Sequence, residues 1–218
     1  MYGSERPALD VPDMSRKTIM HLIATNFHGG PEKQIIEHLK RLDPSRFKGI
    51  IASFLEKGGG NEMLEQAKAN GLEGRGIPMS GPLDVRALIA LSRLIREEGV
   101  DLLCAHGYKS TVMGWLAAKR AGIPVISFSR GYTAEDRMVA FYEWVERRVL
   151  GRVDGVVAVS DGQRKKLEGM GVKARRYWTV HNAVSINSRA VGSEEKIRKE
   201  VFARLGVPEG SIMVVSAG

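Results

Sequence analysis

Seven short apolar runs alternate with helical segments along this chain, and most of the corners between them carry glycine, serine or proline. The runs fall at residues 18–24, 47–54, around Ile77, and at 101–105, 125–129, 155–159 and 177–180. Runs of this length, apolar throughout rather than on alternate residues, suit strands buried on both faces. Joined one by one through helices, they predict an α/β fold: a Rossmann-like parallel sheet of about seven strands, helices on both faces, wound right-handed.

The first corner is the most informative. The strand ends in Ile23-Ala24-Thr25-Asn26-Phe27-His28, two glycines follow, and Pro31 opens a helix whose Ile35, Ile36, Leu39 and Leu42 share a face. Gly29 and Gly30 therefore sit at a strand-to-helix corner, where free N–H groups and the positive helix end suit phosphate. The plainer reading is a tight turn that binds nothing. Ligands of such sheets lie beyond the carboxyl ends of the strands, and that geometry gathers His28, Gly29, Gly30, His106, Gly107, Arg130, Gly131 and Ser160 along one rim. His106 suits a sugar hydroxyl or a phosphate, or else ties its own loop together. Arg130 can grip phosphate or carboxylate with two prongs, or pair with Glu135 or Asp136.

The remaining expectations are structural. Ser160 and Gln163 form a capping-box pattern. A helix is expected from Thr111 to Gly122, and Val85, Leu88, Ile89 and Ile95 mark the apolar face of another. His38 reads as exposed and inert, and His21 and His181 as residues inside or at the end of strands. Trp115, Trp144 and Trp178 read as core, and Cys104 as a buried thiol.

Several chemistries are excluded by pattern. No GxGxxG marks the first corner, and Gly58-Gly59-Gly60 lacks the Lys-Ser/Thr ending of a phosphate loop. There is no serine-hydrolase elbow, no HExxH, and only one cysteine. The formal net charge of +8 favours an anionic partner. Basic clusters at Arg147, Arg148 and Arg152, at Arg164, Lys165 and Lys166, and at Lys173, Arg175 and Arg176 read as solvated helix faces or an anionic contact, without the motifs of a nucleic-acid binder. No run approaches the ~20 apolar residues of a membrane span, and residues 1–16 lack a signal-peptide core, so a cytoplasmic location is expected.

The corners together resemble the N-terminal half of GT-B glycosyltransferases, in particular the family 4 retaining enzymes, from about Lys17 to Gly218. The pieces are His28-Gly29-Gly30-Pro31-Glu32, the strand Leu102-Leu103-Cys104-Ala105-His106-Gly107, the helix start Ala158-Val159-Ser160-Asp161-Gly162-Gln163, and Val180-His181-Asn182-Ala183-Val184, similar to that family's connection into the hinge. The resemblance implies a flexible arm at 1–16, an acceptor-side domain at 17–184, an interdomain connection at 185–211, and at 212–218 the first strand of a C-terminal donor domain that lies beyond this chain.

It also implies retaining transfer of a sugar from a nucleotide sugar to a glycan or lipid-linked acceptor in cell-envelope or polysaccharide assembly. No resident cofactor and no required metal are implied. Gly29 and Gly30 would approach the donor diphosphate. His28, His106, Gly107, Arg130 and Gly131 would line the acceptor side, with His106 and Arg130 the catalytic candidates. A histidine frequent in the family after the fifth strand is replaced here by Ser129-Arg130-Gly131. Peripheral contact with the inner face of an anionic membrane, and little turnover by this half alone, complete the expectation. The competing readings are a nucleotide-sugar epimerase of the same architecture and a non-catalytic ligand-binding module.

Overall fold

The apolar runs become strands β1 (Lys17–Ile23), β2 (Phe47–Glu56), β3 (Glu73–Met79), β4 (Leu102–His106), β5 (Val125–Ser129), β6 (Gly155–Ala158) and β7 (Tyr177–Thr179) in a computed structural model of the chain. Between them run α1 (Gly30–Arg41), α2 (Glu62–Ala69), α3 (Val85–Glu97), α4 (Tyr108–Ala121), α5 (Arg137–Leu150) and α6 (Asp161–Gly169), and α7 (Glu194–Leu205) follows. The structure describes residues 16–25, 29–56, 60–81, 84–131, 137–183, 194–208 and 210–214. His28, Glu135, Asp136 and the arm at 1–15 lie outside them.

The chain divides into two compact units, Met1–Asn182 and Ala183–Gly218. The first holds the whole sheet, in the order β3-β2-β1-β4-β5-β6-β7 with every pair parallel. Strand order reverses between β1 and β4, which opens a crevice at their carboxyl ends. In the second unit the Arg198 guanidinium lies 4.8 Å from the Phe202 ring centre and donates to the Ser211 carbonyl. Ile212, Met213 and Val214 are in no strand, and 215–218 lie outside the described residues.

Alternation along β1 feeds two cores. Ile23 joins Ile51, Ile35, Ile36, Leu39 and Met63 under α1 and α2. Met20 and Leu22 point the other way, toward Ala87, Leu91 and Ile95 of α3, Met113 and Ala117 of α4, Val149 and Leu150 of α5, and Leu167 of α6. α4 comes close to the sheet because Gly114 has no side chain: a Cβ there would lie 3.1 Å from Leu103 and 3.2 Å from Leu22. At the far edge a Cβ on Gly155 would meet the Trp178 ring at 2.3 Å, so the glycine is the seat of that indole.

Three expectations need correction. α3 buries Ala87, Leu91, Ser92 and Ile95, whereas Val85 and Ile89 are exposed; they sit one step round the helix from the stripe that meets the sheet. α4 starts at Tyr108 rather than Thr111, because Gly107 takes φ +82° and turns the chain straight from β4 into the helix. Trp144 and Trp178 are exposed rather than core, and only Trp115 packs against the main cluster. Cys104 is buried, and burial pushes its thiol up to about 12.

Candidate functional site

The crevice at the switch point is a cleft of about 280 Å³. β1 contributes its end and the following Ala24 and Thr25; β4 and β5 contribute His106, Gly107, Phe128, Ser129, Arg130 and Gly131. Pro31 and Glu32 of α1, Tyr108 of α4, and Glu143 and Glu146 of α5 complete the wall. Of the predicted rim residues, His106, Gly107, Arg130 and Gly131 thus line one space. Gly29 caps α1, and Gly30 is its first residue, exposed. Ser160 is a helix cap, its hydroxyl accepting the Gln163 N–H at 3.1 Å.

Arg130 is held from three sides. Its Nη1 donates to Gln34 Oε1 at 3.1 Å and reaches Asn182 Oδ1 at 3.5 Å, and its Nη2 lies 3.5 Å from His106 Nδ1. A guanidinium only donates, so His106 Nδ1 accepts and the His106 proton sits on Nε2. That nitrogen is 2.9 Å from His21 Nδ1, which must accept in turn. Neutral His21 then carries its proton on Nε2, an atom that is buried with no hydrogen-bond partner among the described residues, as is Arg130 Nε. Donors and acceptors therefore run in one direction, from Arg130 through His106 to His21.

The two rings stack at 5.2 Å, and Phe128 stacks on His106 at 4.6 Å. Burial, with the nearby positive charge of Arg130 adding to it, holds His21 down at about 3 and His106 well below its ordinary value. Both are neutral at neutral pH. Burial also lowers the affinity of Arg130 for its proton, and the Glu32 carboxylate opposes that. His38, expected to stand apart, is exposed but has its ring 5.5 Å from that of His21.

The helix start that suits phosphate is already engaged. Gly29 N–H donates to Glu32 Oε2 at 3.0 Å, so a buried carboxylate rests on the positive end of α1. Beneath the cleft, Thr111 Oγ1 donates to Glu146 Oε1 at 3.1 Å, and Ser127 Oγ, 2.8 Å away, must then donate to Thr111. The side chain expected to complete a capping box goes elsewhere: Gln163 Nε2 donates to Ser129 Oγ at 2.9 Å and steadies the strand end that carries Arg130. On the other side, Asn61 and Ser53 both donate to the Thr25 carbonyl and pin the end of β1.

Sequence reasoning missed His21, Glu32, Gln34, Glu143, Glu146 and Gln163. The one available signal was a histidine inside an otherwise apolar run. Among the described residues no group of three or more His, Cys, Asp or Glu could hold a metal ion, and no helix is long and apolar enough to cross a membrane.

A doubly wound sheet with a polar cleft at its switch point is an architecture that many unrelated enzymes share, so the family has to come from the sequence. Residues 50–183 match the glycosyl transferase 4-like domain. The chain belongs to that family. A 68-residue stretch is 29% identical to the UDP-Gal:alpha-D-GlcNAc-diphosphoundecaprenol alpha-1,3-galactosyltransferase of Escherichia coli, covering 29% of this chain and 18% of that protein. The fold is shared with HepE of Anabaena, solved in complex with UDP, at TM-score 0.68 and 16% identity over 85% of this chain and 50% of the other. A UDP-N-acetylglucosamine 2-epimerase superposes less closely, at TM-score 0.55 and 17% identity over 88% and 61%. The chain thus spans about half the length of HepE.

Proposed function

We propose that this chain is the acceptor-side half of a glycosyltransferase that transfers a hexose, with retention, from a nucleotide sugar to a lipid-linked acceptor. The observation that carries the reading is the make-up of the cleft: among the described residues, three buried carboxylates, Glu32, Glu143 and Glu146, stand around a single arginine. Carboxylates accept hydrogen bonds from sugar hydroxyls and repel free anions, so this wall suits a neutral sugar ring, with Arg130 as the one place for an acceptor phosphate. The lipid diphosphate in the name of the Escherichia coli relative fits that division.

Within this reading Arg130 is the residue that touches acceptor, and His106, with both ring nitrogens engaged inside the protein, positions it. The donor diphosphate belongs at Gly29 and Gly30 once Glu32 yields its place, and the groups that stabilise the leaving diphosphate belong to the second half. No resident metal or cofactor enters this scheme, and this half alone has little turnover.

The test is calorimetric binding of a short-chain GlcNAc-diphosphate lipid analogue and of UDP to residues 1–218. The analogue is expected to bind at least tenfold more tightly than UDP; UDP binding without analogue binding would overturn the reading, as would robust sugar transfer by this half alone. The epimerase likeness supports a second reading. Conversion of UDP-GlcNAc to its epimer by the full-length protein with no acceptor present would favour it.

A further inference from the structure

The outer face of α5 sets exposed aromatic rings beside arginines. Phe141 is 57% exposed and Trp144 45% exposed, their rings stacked 6.1 Å apart. One turn on, the Arg148 guanidinium lies over the Trp144 ring at 4.5 Å, and exposed Arg152 follows the helix. The two glutamates of α5, Glu143 and Glu146, are both buried toward the cleft. Neighbouring α4 contains no acidic residue at all; it ends in exposed Lys119 and Arg120, with the Lys119 ammonium 5.6 Å from the Trp115 ring centre. Among the described side chains of these two packed helices, every exposed charge is positive.

An aromatic and arginine strip of this kind has the chemistry of a membrane interface: amphipathic rings settle at the head-group level, and guanidinium groups meet lipid phosphate. The strip also leads to the cleft. Phe141 adjoins Tyr142, Tyr142 stacks on Tyr108 at 5.2 Å, and Tyr108 lines the cleft wall.

We propose that the face formed by Phe141, Trp144, Arg148 and Arg152 docks this domain on an anionic lipid surface, setting the cleft mouth at the bilayer. The inference deepens the acceptor reading and rests on it for its purpose: an acceptor anchored by its lipid presents its sugar where the bilayer meets the cleft. Single-stranded nucleic acid also stacks on exposed rings beside basic groups, and tighter binding of a single-stranded oligonucleotide than of the anionic vesicles would overturn the proposal.

The experiment uses vesicles of phosphatidylglycerol and phosphatidylethanolamine, with phosphatidylcholine vesicles as the neutral control. The chain is expected to co-sediment with the anionic vesicles, less so as salt rises, and brominated lipid is expected to quench its tryptophan fluorescence. Phe141→Ser with Trp144→Ser should weaken binding at least tenfold with an unchanged circular dichroism spectrum, Arg148→Glu with Arg152→Glu should do the same, and Trp144→Phe should remove most of the quenching. Wild-type binding by both double variants, or quenching that survives Trp144→Phe, overturns the proposal. So does a dimer in solution that Trp144→Ser converts to monomer, which would give the face to a second copy. Because the vesicles carry neither donor nor acceptor, failure here leaves the acceptor reading to its own calorimetric test.

Discussion

His21 Nδ1 and His106 Nε2 lie 2.9 Å apart, and the protons of the relay are ordered by Arg130 at its far end. A second proton on either ring sets two N–H groups against each other: on His106 it faces Arg130, and on His21 it faces the Nε2–H of His106. The relay therefore requires both imidazoles neutral.

Stability should fall on acidification for that reason. A histidine whose pKa is lowered in the folded state contributes stability that is complete above its unfolded value near 6.5 and is lost as pH drops from there toward the folded value, which for His21 is about 3. The slope for one such group is about 1.4 kcal/mol per pH unit. Thermal unfolding between pH 7.5 and 4.5 should show it, and His21→Phe should be less stable at pH 7.5 but lose less on acidification. Equal slopes for the two proteins would remove His21 from the titration.

Arg130→Lys keeps the charge and loses the fork. With Gln34, Asn182 and His106 no longer gripped together, acceptor-analogue affinity should fall ten- to a hundredfold, the worth of a charged hydrogen bond of about 1.5–3 kcal/mol. Calorimetry on the Lys variant decides this, and an unchanged affinity would place the acceptor phosphate elsewhere.

Glu32→Gln retains an acceptor for the Gly29 N–H and removes a negative charge from the start of α1. If this corner receives the donor diphosphate, pyrophosphate or UDP should bind the variant two- to fivefold more tightly, from about 0.3–1 kcal/mol of relieved repulsion. Glu32→Ala, which also drops the cap, should lower stability by about 1 kcal/mol. Weaker UDP binding by the Gln variant would mean that the carboxylate itself holds the ligand.

Gly155→Ala places a methyl where the Trp178 ring now lies, and should cost about 1–3 kcal/mol by overpacking. The second mutation Trp178→Ala should abolish most of that increment, a coupling that a double-mutant cycle in denaturant measures directly.

The strands and their order of appearance were legible because buried parallel strands and glycine corners are local signals, readable within a few residues. Membership of one rim was legible too, since strand ends in such a sheet share a side: His106, Gly107, Arg130 and Gly131 come together as the alternation implies. What the residues could not show was anything set by pairing between distant segments. His21 looked like one more strand residue until β1 lay beside β4, with His21 opposite Cys104 and Ile23 opposite His106. Gln163 had a sound local role as a capping-box partner, and a neighbour 34 residues away took its side chain instead. Val85, Ile89 and Trp144 are apolar at helical spacing, yet only the angle at which each helix meets the sheet decides which flank of the stripe is covered.

The indole seated on Gly155 does more than fill space. β7 is three residues long and pairs with β6 only from Val156 opposite Tyr177 to Ala158 opposite Thr179. So short a ladder could slide by one residue at small cost in hydrogen bonds, and such a slide would swing Trp178 to the opposite face and leave the notch over Gly155 empty. The bulky ring and the missing side chain act as key and lock for alignment, and they determine the point at which the chain leaves the sheet to carry Asn182 back to Arg130.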